Sequence, residues 1–234
     1  MTNGQVILIS GSSSGIGLHL AKHYLEKGWT VAGCARHAAP LTHDRYVHFS
    51  TDVANPKAVE QMFGEIRTRF GALHAMVNNA GVASMNAIAL TPAATARQVL
   101  ETNVLGTFLL THAGLRLLRR AKHGRIVNVT TIAVPARLAG EAIYAASKSA
   151  VETFTRIAAK ELGPFGITCN SVGPSPIRTR LTNAVPVTTL QTLVDQQAVQ
   201  RWAEPEDVAN VVDFFLSERS SLVTGQVVYL GGYG

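Results

Sequence analysis

Tyr144 and Lys148, in the run Tyr-Ala-Ala-Ser-Lys, set a phenol four residues before an ammonium. On a helix that spacing makes two side chains neighbours on one face. A phenol with a pKa near about 10 is a poor acid–base catalyst at neutral pH, but an adjacent cation favours the phenolate. The pair is therefore suited to donating a proton to a carbonyl oxygen or taking one from an alcohol. Far upstream, Ser10-Gly11-Ser12-Ser13-Ser14-Gly15-Ile16-Gly17 follows the apolar run Val6–Ile9 and opens a helical pattern from Leu18 to Lys27. In that setting backbone N–H groups and a helix N-terminus can face a pyrophosphate, and the serine hydroxyls add donors. The glycine spacing, G-x-x-x-G-x-G, differs from the G-x-G-x-x-G dinucleotide fingerprint. Nucleotide binding followed by an activated phenol points to redox chemistry on a carbonyl or an alcohol.

Elements that could position these groups follow from the periodicity. Short apolar, β-branched runs at Gln5–Ser10, Thr30–Ala35, Ala75–Val77, Arg125–Thr130, Thr168–Val172 and Gln226–Leu230, with a weaker one at Val47–Thr51, alternate with helical patterns near 15–27, 55–70, 92–121, 141–163 and 204–217. Continuous hydrophobic strands alternating with helices predict an α/β fold, a doubly wound parallel sheet with helices on both faces. No repeat, low-complexity tract or linker interrupts it, so residues 1–234 read as one domain. Residues 174–203 break the alternation. They begin Pro174-Ser175-Pro176, carry few charges, and place Leu190, Leu193, Val194 and Ala198 at helical spacing. Their position after a strand's carboxyl end predicts a lid over the ligand cleft.

The glycine turn, Asn78-Asn79-Ala80-Gly81, Asn103 and Tyr144-x-x-x-Lys148 together resemble the short-chain dehydrogenase/reductase family. The resemblance runs over essentially the whole chain, through Pro205-Glu206-Asp207-Val208-Ala209 and Thr224-Gly225-Gln226, and is nearest to the 3-oxoacyl-carrier-protein reductase-like members. It implies a Rossmann-type sheet, a nicotinamide cofactor and commonly a homotetramer. It implies further that Lys148 binds the nicotinamide ribose, that Asn103 holds a water linking Lys148 to solvent, and that Asp52 and Val53 meet the adenine. Gly11 through Gly17, Asn79, Ala80 and Gly81 fall on the family's cofactor side, as do Pro174, Ile177 and Thr179, the last two near the carboxamide and phosphates.

Departures from the family pattern carry information as well. Where the family has a serine thirteen residues before the tyrosine, this chain has Thr131. Neighbouring Thr130 points to the opposite face of a strand. Threonine keeps the hydroxyl, while its methyl crowds the substrate and stiffens χ1, so a restricted or slower substrate range is expected. Pro174-Ser175 replaces Pro-Gly, and Tyr229-Leu230-Gly231-Gly232 lacks the acidic residue usual before the glycine pair. After the second strand the chain reads Cys34-Ala35-Arg36-His37, with no carboxylate to grip a ribose 2′-hydroxyl. Arg36 suits a 2′-phosphate instead, with Ser12 adding a hydroxyl, which predicts NADP(H).

Composition narrows the classes that remain. The 234 residues are 47% hydrophobic and 15% charged, which fits a compact globule. No run approaches the roughly 20 apolar residues of a membrane span, and the first residues lack a signal peptide's basic start. Cys34 and Cys169 sit in strand-like contexts without metal spacing and read as buried thiols in a cytoplasmic protein. The net charge of +6 is spread along the chain apart from Arg116, Arg119, Arg120, Lys122, His123 and Arg125. At a helix end such cations complement the dipole, so no nucleic-acid partner is expected; an anionic carrier or substrate is the sharper use of that patch. His19 and His23 lie one turn apart with no third ligand apparent, and no metal is expected. Arg137 is a candidate for meeting an acidic substrate group. The reading is thus an NADPH-dependent reductase of a small-molecule carbonyl or acyl-thioester substrate, in a dimer or tetramer. A cofactor-binding sensor without turnover, or an epimerase or dehydratase on the same scaffold, would use the same motifs.

Overall fold

The computed structural model describes residues 4–182 and 185–233. Seven strands form one parallel sheet: β1 Val6–Ser10, β2 Thr30–Ala35, β3 Tyr46–Ser50, β4 Ala75–Asn78, β5 Arg125–Val129, β6 Thr168–Gly173 and β7 Val227–Tyr229. Their spatial order, β3-β2-β1-β4-β5-β6-β7, reverses between β1 and β4, so a crevice opens at the strands' carboxyl ends. Every residue of β1, β4, β5 and β6 is buried, as sheets covered on both faces require.

Alternation along the strands divides the core into two layers. Val6 and Leu8 join Met76, Ile126 and Cys169 on one face, while Ile7 and Ile9 join Val77, Val127 and Val172 on the other. The first layer packs on α2 Pro56–Phe70, α4 Gly106–Arg120 and α6 Ala142–Leu162; the second packs on α1 Gly15–Glu26 and α8 Pro205–Leu216. Local sequence sets the helix ends. Asn55 caps α2 by accepting from the backbone of Lys57 and Ala58, with Pro56 at the first helical position, and Gly71 ends it at φ 75°. Glu204 and Asp207 form a capping box at the start of α8.

Two helical expectations change in detail. The pattern at 92–121 is α3 Ala93–Leu100 followed by a π turn, Glu101–Leu105, and then α4. The extra residue in that turn is what seats Asn103, with its side chain buried, against α6. In the segment 174–203, α7 covers Val187–Asp195 and buries Leu190, Leu193 and Val194. The helix ends before Ala198, which is exposed, so the expected stripe stops one turn early. Asn183 and Ala184 of this segment lie outside the described residues. A parallel bridge between Ile177 and Ala203 ties the two ends of the segment together.

Candidate active site

The glycine turn leaves β1 and enters α1 beside a cleft of about 340 Å³ lined by Gly11, Ser13, Ser14, Gly15 and Ile16. Close approach explains its glycines. A Cβ on Gly11, at φ 71°, would lie 2.7 Å from Asn79 Nδ2, and a Cβ on Gly17 would collide with the carbonyl of Gly11. Ser14 is the extended N-cap of α1 and makes no side-chain cap, so the first N–H groups of the helix remain available to an anion at the cleft. Arg36, His37, Asp52, Val53, Asn79, Ala80 and Gly81 complete the walls, with Arg36 exposed at the mouth. Ser10 Oγ accepts from the backbone N–H groups of Asn79 and Ala80, and Asn79 Nδ2 donates to the Ser10 carbonyl at 2.9 Å, which ties the two walls together. Two of the expected cofactor residues in the glycine turn do not face this cleft. Gly17 is buried within α1 and shapes the turn. Ser12 is fully buried, and its hydroxyl pairs at 3.1 Å with Tyr46, so the expectation that it adds a hydroxyl beside Arg36 is corrected.

A second cleft, of about 140 Å³, continues from the first; the two share Ile16, Asn79, Gly81, Thr179 and Leu181. Thr131, between β5 and the short helix α5 Ala133–Ala136, and Tyr144 and Lys148, one turn apart on α6, line it together with Pro174 and Ile177. Tyr144 and Lys148 are 7% and 5% exposed. Lys148 Nζ donates to the Val129 carbonyl at 2.8 Å. A Cβ on Gly81 would lie 3.2 Å from Asn103 Oδ1 and 3.4 Å from Lys148 Nζ, so a bare backbone passes close to both groups. Asn103 Oδ1 accepts from Val82 N, and its amide donates to the Val82 carbonyl and to Ser147 Oγ. The residue thus holds the wall at 81–82 against α6.

Burial dominates the electrostatics of the pair in the free protein. Burial pushes the Tyr144 phenol up to about 12; the nearby Thr131 hydroxyl opposes this, and Glu141 adds to it. Burial lowers Lys148 to about 8. In the free protein desolvation is the largest influence on the phenol. The resulting neutral phenol is in the state that donates a proton.

Sequence reasoning passed over Glu141, which lines the same cleft one turn before Tyr144 and is only 8% exposed. Its position three residues from the tyrosine, on the same side of the helix start, was the available signal. Arg137, by contrast, is exposed in a left-handed turn at φ 50° and does not line the cleft. Arg125 is buried in β5, unlike the exposed Arg119, Arg120 and His123, so the basic cluster is not a single solvated patch. The two histidines do meet a third ligating group: His19, His23 and Glu206 bring ligand atoms within 4.8 Å of one another. Each imidazole already faces a carboxylate, His19 with Glu206 and His23 with Asp213, both at 3.0 Å. Both cysteines are buried and unpaired, with thiols raised to about 12 by burial. Among the described residues no helix is long and apolar enough to cross a membrane.

Comparison with known proteins places these features in context. Residues 11–233 match the sequence family described as enoyl-(acyl carrier protein) reductase. The chain is 31% identical to the 3-oxoacyl-[acyl-carrier-protein] reductase FabG of Vibrio cholerae, over 98% of this chain and 96% of that one. It is 34% identical to the (2S)-[(R)-hydroxy(phenyl)methyl]succinyl-CoA dehydrogenase subunit BbsD of Thauera aromatica, over 97% and 95%. Among solved structures, a single-substitution variant of the actinorhodin polyketide ketoreductase with NADPH superposes with a TM-score of 0.89 at 26% identity, covering 99% of this chain and 97% of that one.

Proposed function

The chain belongs to the short-chain dehydrogenase/reductase family, and on that footing we propose that it is an NADP(H)-dependent carbonyl reductase, reversible as an alcohol dehydrogenase. One observation carries this reading: the glycine cleft and the Tyr144–Lys148 cleft run into each other across Ile16, Asn79, Gly81, Thr179 and Leu181. A nicotinamide cofactor bound along the first cleft supplies the hydride. Gly11, Ser13, Ser14, Gly15 and Ile16 would hold its pyrophosphate, Asp52 and Val53 its adenine, and Asn79, Ala80, Gly81, Pro174, Ile177 and Thr179 its nicotinamide half. Arg36, with His37 beside it, favours the 2′-phosphate of NADP(H). Tyr144 gives its proton to the carbonyl oxygen, Lys148 stabilises the phenolate left behind, and Thr131 orients the same oxygen. Asn103 positions this group through Ser147 and the Val82 backbone.

The substrate class is a small carbonyl compound or acyl thioester, and the likeness to the Vibrio cholerae enzyme supports 3-oxoacyl thioesters within it. Two buried, unpaired cysteines support a reducing, cytoplasmic setting. The groove formed by Leu100, Val104, Leu105, Phe108, Val151 and Phe154 supports association with a second copy of the chain, in a dimer or tetramer. The test is loss of NADPH absorbance, with NADH in parallel, against ketones, aldehydes and 3-oxoacyl thioesters. The expected result is consumption with NADPH that falls by about 10²–10⁴-fold in Tyr144→Phe while cofactor binding persists. Tight NADPH binding without turnover on any of these would favour the sensor reading.

A further inference from the structure

Glu141 is the one acidic side chain in the substrate cleft, and nothing among the described residues uses it fully. It is 8% exposed, its Oε2 has no hydrogen-bond partner, and it makes no ion pair. Although it stands at the N-cap of α6, its side chain does not cap the helix. Its carbonyl does accept the Ala145 N–H at 2.7 Å, so the backbone here is already in helical register. Glu141 and Tyr144 therefore project from the same turn, with Cβ atoms about 5–6 Å apart. A small substrate can span that interval. The remainder of the cleft wall around them is largely apolar, including Ile132, Leu138, Leu190 and Leu193.

An unpartnered buried carboxyl is costly, and one on the wall of a ligand cleft can take its missing partner from the ligand once its side chain turns toward it. We infer that Glu141 is a specificity residue that accepts a hydrogen bond from a donor group on the substrate, a hydroxyl one or two carbons from the reacting carbonyl, while the apolar wall takes the remainder. The substrate class this selects is a hydroxyketone with an apolar body. Desolvation raises the pKa of the carboxyl, as expected of a group that lacks its partner in the free protein. The inference rests on the reductase reading for the placement of the carbonyl at Tyr144. A site built to hydrogen-bond a hydroxyl discriminates strongly against the analogue that lacks it, because the buried polar group is then left unpaired.

Size-matched ketone pairs test this directly. 2-Hydroxyacetophenone is compared with propiophenone, and 3-hydroxypropiophenone with butyrophenone, on the full chain. Affinity is read by calorimetry with saturating NADP+, and kcat/KM by NADPH consumption. The expected result is a preference of about tenfold or more for the hydroxylated member of at least one pair. Glu141→Leu brings that ratio close to one, and Glu141→Gln, which keeps an acceptor and the shape, retains part of it. A structural role for Glu141 would lower both members of a pair together and leave the ratio intact. A wild-type ratio near one in both pairs, or a ratio that survives Glu141→Leu, overturns the inference and leaves Glu141 satisfied by water. Preferential binding without NADPH consumption keeps the Glu141 assignment and removes the reductase reading; consumption without preference does the reverse. Failure of all four ketones to bind counts against both.

Discussion

Tyr144 and Lys148 are both held away from water, and burial drives each toward its neutral form, the phenol up to about 12 and the amine down to about 8. In the reductive direction of the proposed reaction a neutral phenol is the required donor across the neutral range. Lys148 is a cation only below about 8, so reductive kcat/KM is expected to stay level to that pH and to fall above it, in a pH-rate series with substrate kept subsaturating. The same shift has a sign for stability. The folded pKa of Lys148 lies below its unfolded value, so below about 8 the buried charge opposes folding, and that penalty is relieved as pH rises from about 8 toward the unfolded value. Lys148→Met removes the penalty, on the order of 3 kcal/mol, and loses the hydrogen bond to Val129, about 1 kcal/mol. The variant should therefore melt a few degrees higher than wild type at pH 7 by calorimetry while being inactive, and the gain should vanish near pH 10. Thr131 keeps the hydroxyl that the chemistry needs, but its methyl narrows the same cleft. Thr131→Ser is expected to raise kcat for bulky ketones severalfold, and Thr131→Ala to lower it by tenfold or more, in steady-state assays.

Among the elements, the site depends on how firmly β4, β5 and α6 are locked together beneath it. A buried polar ladder does this. Asn78 Nδ2 donates to Asn128 Oδ1 at 2.8 Å, Asn128 Nδ2 donates to Thr155 Oγ1 at 2.8 Å, and Thr155 meets Ser171 at 2.8 Å. All four are buried, so loss of one member leaves partners unsatisfied in a low-dielectric setting. Asn128→Ala is expected to reduce stability by about 2–3 kcal/mol, seen as a lower urea midpoint with an unchanged slope. The positions of these asparagines within strands were legible in the sequence, but their partnership was not, because residues 50 apart meet only when β4 pairs with β5. The π turn at Glu101–Leu105 is of the same kind. Periodicity predicts a continuous helix there, and only packing against α6 decides that one extra residue is inserted.

Over the molecular surface, an apolar groove lies open to solvent between the π turn, α4 and α6, where Phe108 is 46% exposed. A charge at its centre would be desolvated by a second copy of the chain, twice over in an isologous interface, where the same patch is used by both copies. Phe108→Asp is thus expected to reduce the particle mass by light scattering at micromolar concentration, with little change in the secondary structure by circular dichroism. An unchanged mass would place the interface elsewhere or leave the chain monomeric. Because α6 also carries Tyr144 and Lys148, pairing of copies across this groove would brace the helix that holds the proposed proton donor.

The parallel α/β architecture, the glycine turn, and the order of Thr131, Tyr144 and Lys148 were all readable along the chain, because they rest on local periodicity and on spacing within single elements. The lack of a carboxylate beside Arg36 was equally plain there. Which hydroxyls and charges face the clefts was settled by folding alone. Ser12 turns inward to Tyr46, a partner 34 residues away, and Arg125 is buried rather than solvated. Glu206 comes to His19 from another helix, and Glu141 is left unpaired one turn before Tyr144. The protonation preferences of Tyr144 and Lys148 belong to the same class. Side-chain spacing along a helix is local, but desolvation is a property of everything packed around it, and it is the largest influence on both groups.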